Sequence, residues 1–352
     1  MYIFNLDVRR PRVIHRSTYL CPRWAYLWVQ FVYSLVLLYY KSNMNWFFIA
    51  ILAPFFWSIN THFDKFILSK YSKDRGVGSV FLFSTFFSAI FSIAIFLLKK
   101  QEILNHSSLN NFLLFLVPGF LSAFGFYFYL NSLKNEESSV VVALFQLSPV
   151  FAYFLGLIFL GEILKTSQIV AALVVLVGAG ILSFDIEEIE NKLKIKWKMV
   201  GFILLAALFF SFNDVLFKKF TIFEGSFVTS LFWQHIGIFI IGLLFFIYKK
   251  NFREDLDSLI VNNKARIFIL NGVSELFYVL GAMMSNLATL FVPVVLVLVL
   301  NTYQTVFTFI IGILLTIFLP QIIVEKISKR HLVQRTLAIA IIILGSYFLY
   351  LN

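Results

Sequence analysis

The chain has 352 residues, of which 60% are hydrophobic and only 13% charged. A soluble domain carries about 25% charged residues, so this composition excludes an ordinary soluble fold. The net charge of +11 sits in short loops between apolar runs, where charge sets membrane orientation and does not mark a nucleic-acid surface, and the single cysteine, Cys21, excludes an internal disulfide.

Residues 1–43 open with "RRPRVIHRSTYLCPR" and continue as "WAYLWVQFVYSLVLLYY". This extension suits an extra membrane helix, an interfacial helix, or a stretch upstream of a start at Met44. No small-x-small cleavage site follows it, which disfavours a cleaved signal peptide. From residue 44 onward, apolar runs of about 20 residues recur, each long enough to cross the hydrocarbon core. Long uninterrupted runs predict helices and not the alternating strands of a barrel. The first five spans are predicted at 45–66, 78–98, 111–133, 138–160 and 166–184. Then comes "DIEEIENKLKIKWK", residues 185–198, a charged linker whose Ile186, Ile189, Leu193 and Trp197 suit a short interfacial helix. Five more spans are predicted at 199–219, 227–248, 267–288, 291–319 and 333–351.

The halves repeat one another. "SINTHFDK" (58–65) returns as "SFNDVLFK" (211–218), so Ser58, Asn60 and Lys65 correspond to Ser211, Asn213 and Lys218. At the same offset, Phe115, Gly119, Phe124 and Ser132 correspond to Phe268, Gly272, Phe277 and Ser285. The second span of each half ends in a lysine pair, Lys99-Lys100 and Lys249-Lys250. Two copies of a unit with an odd number of spans must insert with opposite orientations. The expected fold is therefore all-α and polytopic: ten core transmembrane helices as two inverted five-helix repeats, 44–184 and 199–352. Inverted repeats characteristically hold a binding site near the midplane where they meet.

"PVFAYFLGLIFLGEILKTSQIVAALVVLVGAGIL", residues 149–182, resembles the end of an EamA domain: a Pro in the fourth helix, a Gly-Glu turn, and a Gly-containing fifth helix. The second half repeats the pattern less faithfully; its Gly-Glu is missing and Glu325 comes later. The resemblance covers about residues 45–351. It implies the drug/metabolite transporter superfamily, whose members carry small metabolites by exchange or with protons.

Helical spacing identifies the polar faces. Ser58, Thr61, His62 and Lys65 share a face, as do Ser211, Asp214 and Lys218. Asn271, Ser274, Glu275 and Tyr278 form a third stripe, and Asn301, Gln304, Thr305 and Thr308 a fourth. Ser and Thr in membrane helices commonly bond their own backbone, and Asn or Gln can join helices without touching cargo. Lys65 and Lys218 lie near helix ends, where a lysine can snorkel to the interface. Pro149 is expected to kink the fourth span. A carboxylate near the centre of a span, as at Glu275, costs about 2.5–3.5 kcal/mol and must face water, pair with a cation or carry a proton.

The expected function is secondary transport of a small metabolite by alternating access. Trp57, Asn60, Gln146, Asn213, Asn271, Tyr278, Asn301 and Gln304 are the candidate substrate residues, with Trp57 and Tyr278 bounding the cavity. Glu275 is the leading proton-coupling residue, ahead of Asp214 and His235. A flippase for a lipid or lipid-linked sugar is the alternative. No Gly-rich phosphate loop, HExxH or GxSxG occurs, and His15, His62, His106, His235 and His331 are scattered, so neither an enzyme nor a cofactor is expected. Small-molecule substrate, membrane lipids and protons are the expected partners, and the prokaryotic plasma membrane the expected location.

Charge placement bears on orientation. With the ten core spans, Lys65, Lys70, Lys73, Arg75, Lys134, the linker lysines and the basic residues after spans seven and nine fall on one face. Lys99, Lys100, Lys165, Lys218 and Lys219 fall on the other. Members of the superfamily are usually drawn with both ends of the ten-helix unit in the cytoplasm, which would put the richer face outside. An extra first span would put it inside, as the positive-inside tendency favours. In a Cys21→Ser background, a cysteine at Ile189 should then react with a membrane-impermeant thiol reagent only from the cytoplasmic side; labelling from outside reverses the assignment.

Overall fold

A computed structural model describes residues 46–71, 77–107, 112–135, 144–183, 197–318 and 329–351. The N-terminal extension 1–43 and residues 185–196 of the predicted linker lie outside the described residues. The helices in chain order are α1 (Trp46–Tyr71), α2 (Gly78–His106), α3 (Phe112–Asn135), α4 (Ser148–Leu160), α5 (Thr166–Ser183), α6 (Trp197–Glu224), α7 (Phe227–Tyr248), α8 (Lys250–Thr289), α9 (Val294–Asn301), α10 (Tyr303–Phe318) and α11 (Lys329–Leu351). No strand occurs among the described residues.

Seven helical stretches among the described residues are long and apolar enough to cross a membrane, and Ser148–Leu160 and Thr166–Leu182 are shorter apolar helices. The solvent preference is inverted relative to a soluble protein. Ser58, Ser92, Ser132, Ser211 and Thr229 are wholly or almost wholly buried, whereas Ile93, Leu97, Ile158 and Val177 stand more than half exposed. Large apolar residues outside and hydroxyls inside are what a hydrocarbon solvent selects. The chain is a polytopic integral membrane protein.

Predicted spans and helices differ in three instructive places. Residue 99 breaks α2 with non-helical dihedrals (φ −131°, ψ 27°), at the lysine pair where the predicted second span ends. Pro149 sits in the first turn of α4, where a missing N–H costs nothing; residues 144–145 are helical and 146–147 form a turn, so the span is interrupted just before it. The predicted ninth span divides at Thr302, whose backbone N–H and hydroxyl both donate to the Val299 carbonyl, at 3.2 and 2.7 Å. These i→i−3 bonds tighten the chain out of α-helical register between α9 and α10.

The strongest helix pairings cross between the halves: α1 on α8, α3 on α6, α5 on α11, and α2 on α7. Within either half the helices touch far less. Close approach depends on small residues. At the α3–α7 crossing, a Cβ on Gly119 would lie 2.0 Å from the Gln234 carbonyl oxygen, and one on Gly237 would lie 2.5 Å from the Leu116 carbonyl oxygen. Backbones in such contact gain dispersion energy that lipid cannot match.

Gly119→Val should therefore force α3 and α7 apart and lower stability by about 1–3 kcal/mol, read from thermal unfolding in detergent. Gly272→Ala is the control, since a Cβ there meets nothing within 4 Å; its unfolding midpoint should not fall.

Candidate functional site

A small polar hollow lies between α1, α2, α3, α7 and α8. Asn60 and Asp64 face it from α1, Ser84, Thr85 and Ser88 from α2, Ser122 and Phe126 from α3, Ile238 from α7, and Glu275 and Tyr278 from α8. Helical spacing explains the convergence. Asn60 and Asp64 are one turn apart on α1, as are Ser84 and Ser88 on α2, and Glu275 and Tyr278 lie three apart on α8.

Hydrogen bonds set the positions of these groups. Asn60 Nδ2 donates to the Ser274 hydroxyl at 2.8 Å and to its carbonyl at 3.2 Å. Ser274 Oγ donates to Asp64 Oδ1 at 2.7 Å. Ser84 donates to Glu275 Oε1. Trp57 Nε1 donates to the Tyr278 carbonyl at 3.1 Å, and its ring fits because Gly281 has no side chain: a Cβ there would lie 2.5 Å from the indole nitrogen. Trp57 thus braces α1 against α8 beside the hollow.

Of the sequence candidates, Asn60, Glu275 and Tyr278 line this hollow, with Trp57 adjacent. Asn213, Asp214 and Gln234 form a separate amide chain: Asn286 donates to Gln234 at 3.3 Å, Gln234 to Asn213 at 2.8 Å, and Asn213 to Asp214 Oδ1 at 2.8 Å. His235 is buried against Phe91, ring centroids 4.6 Å apart, with Nδ1 on the Leu231 carbonyl. Asn271 donates to the Ile267 carbonyl of its own helix, Asn301 to Ser285, and Gln304 to Thr61. Gln146 is half-buried in the turn preceding α4.

Asp64 is the main residue that the spacing argument missed. It lies inside the repeated motif, one turn beyond Asn60, and that spacing was the available signal. Ser84, Ser88 and Ser122 gave none, since isolated hydroxyls look like packing residues.

A charged clamp lies elsewhere between the halves. Gly161 ends α4 in the left-handed region (φ 68°), a conformation glycine adopts at no cost, and turns Glu162 back toward α6. Lys218 Nζ meets Glu162 Oε1 at 2.5 Å, both side chains being about nine-tenths buried. Lys218 also donates to the Val292 carbonyl at 2.8 Å, and Glu162 Oε2 accepts from the Val294 N–H at 2.8 Å. One ion pair therefore fastens the Gly-Glu turn of the first half to α6 and to the start of α9.

The fold and hollow define a class: helical membrane proteins that bury ionisable groups around a polar space between two halves of one chain. Residues 44–184 are similar to the EamA-like transporter family. An uncharacterized transporter of Clostridium kluyveri is 26% identical over 147 residues, 41% of this chain and 45% of that protein. The chain thus aligns with less than half the length of that relative. A protein known from its crystal structure superimposes with a TM-score of 0.56 over 86% of this chain and 94% of its own, at 16% identity; that likeness is one of fold.

Removing one partner of the clamp leaves a buried charge unpaired, which costs about 3–5 kcal/mol. Lys218→Met should accordingly unfold at markedly lower temperature than wild type. Adding Glu162→Gln, which removes the orphaned charge and keeps an oxygen for the Val294 N–H, should recover most of the loss. Equal stability of single and double variants would count against the pairing.

Proposed function

We propose that the chain is a secondary active transporter that moves a small metabolite across the prokaryotic plasma membrane by alternating access, with the hollow as its substrate site. The observation that carries this reading is a pair of carboxylates, Asp64 and Glu275, contributed by opposite halves and facing one polar space within the membrane-spanning bundle. Ionisable groups at membrane depth are costly and recur where ions or solutes pass.

The pairing of helices supports two inverted repeats, 44–184 and 199–352. Exchanging the halves converts the α1–α8 contact into α6–α3, and the α4–α6 contact into α10–α1, while α2–α7 and α5–α11 map onto themselves. All of these pairings are present. Two similar halves that interleave in this way can rock about the shared site and expose it to each side in turn. Breaking the Glu162–Lys218 clamp in one state and forming it in the other is a discrete step of the kind such rocking requires.

Glu275 is the proposed proton-coupling residue. Charged, it favours the access state that hydrates it; protonated, it favours the other. Asn60, Asp64, Ser88 and Ser122 supply polar contacts to the cargo, and Phe126 and Tyr278 supply apolar walls.

Reconstituted vesicles screened with labelled amino acids, nucleosides, sugars and amines, with and without an imposed pH gradient, test the reading. Glu275→Gln should abolish gradient-driven accumulation, while exchange of labelled for unlabelled substrate persists at saturating substrate concentration. Gradient-driven uptake at the wild-type level in that variant would refute the coupling role, and no uptake of any compound by the wild type would refute transport of these classes.

A further inference from the structure

We propose that the solute taken by the hollow is a cation, a protonated or quaternary amine on a compact apolar body. The inference rests on the transport reading of the same site and adds the charge class of the cargo.

The lining is electrically one-sided. Asp64 and Glu275 face the space, and among its described lining residues there is no Lys, Arg or His. Neither carboxylate has an ion-pair partner among the described residues; the pairs there are Lys99–Glu102, Lys218–Glu162 and Lys250–Glu254. The contacts that the carboxylates do make come from neutral hydroxyls, Ser274 to Asp64 and Ser84 to Glu275. Those bonds orient the groups without neutralising them.

Glu275 is 6% exposed. Its Oε1 is held by Ser84, whereas Oε2 has no hydrogen-bond or ion-pair partner among the described residues. A carboxylate so little exposed has given up most of its hydration, and a cationic N–H or an onium methyl group in the hollow would offset that cost.

An anionic cargo would meet two carboxylates and no counter-charge among the described residues, and like charges in a water-poor space repel by several kcal/mol. Arg and Lys are the usual partners of phosphate and carboxylate, and the described lining has neither. The remaining walls suit the cation. Phe126 and Tyr278, with ring centroids 6.4 Å apart, both line the space, and aromatic rings attract ammonium groups. Ala123 and Ile238 complete an apolar side for the body of the molecule.

The test uses the full chain in detergent and three matched probes: phenethylammonium, 3-phenylpropionate and 3-phenylpropanol, with tetramethylammonium as a fourth. A ligand of the folded state raises the unfolding midpoint in proportion to its occupancy. Saturable stabilisation by at least one of the two cations, and none by the carboxylate, is the expected result. Glu275→Gln and Asp64→Asn should each weaken that response at least about tenfold, and Glu275→Asp, which keeps the charge, should retain it. Stabilisation by the carboxylate, by neither cation, or by the cations equally in the Gln and Asn variants overturns the proposal. Cation binding in detergent with no movement across vesicles refutes transport and leaves the charge assignment standing; transport of an anion in vesicles does the reverse.

Discussion

The structure depends on polar groups that hydrocarbon cannot satisfy. Lipid packs against Leu and Phe as well as another helix does, so apolar burial alone does not hold a bundle together. What distinguishes the inside of this protein is its network of hydroxyls, amides and carboxylates; many hydroxyls bond their own helix, and the rest of the network reaches across helices. Asn60 depends on Ser274, Asp64 on Ser274, Glu275 on Ser84, and Lys218 on Glu162. In each pair one member belongs to the first half and the other to the second. Neither half could bury these groups alone without leaving partners unmet, which is why the two halves interleave and do not stand side by side.

This dependence also explains where the hollow forms. Small residues let α3 and α7 meet backbone to backbone at Gly119 and Gly237, and tight contact there leaves no room for cargo. Where the facing residues are Ser84, Ser88 and Ser122, the side chains are short and the space between helices stays unfilled. Short polar residues opposite two carboxylates leave a polar gap; short residues opposite backbone produce a weld.

The all-helical, membrane-crossing character of the chain was legible in the sequence because hydrophobic length is a property of single segments. Glu275 was legible for the same reason: a carboxylate near mid-span is anomalous wherever it points. The partners were not. Nothing in the spacing of Ser84 distinguishes it from Ser92, which donates to its own helix at Ser88, and only tertiary packing assigns the two different roles. Asn271 shows the converse. It shares a helical face with Glu275, yet its amide turns back to the Ile267 carbonyl. The Gly-Glu turn was visible as a motif, but its charge partner lies 56 residues away on α6, beyond any local rule. The division of the ninth span at Thr302 was hidden because a threonine hydroxyl can bond the backbone with or without breaking a helix.

The clamp and the hollow share a lever. Glu275 and Tyr278 line the hollow from α8, and the carbonyl of Val292, held by Lys218, lies just past the end of the same helix. The helical stretch from Glu275 to Thr289 rises about 1.5 Å per residue, so roughly 20 Å of unbroken helix links the two places. A helix of that length does not compress; it tilts or shifts as a body. Any change in charge at Glu275 that moves α8 against α1 and α2 must therefore also move the turn that Lys218 grips. Conversely, fixing Lys218 to Glu162 limits the positions open to Glu275. Two sites joined through one rigid element must influence each other reciprocally, so the ion pair past the end of α8 and the carboxylate within it act on the same helix.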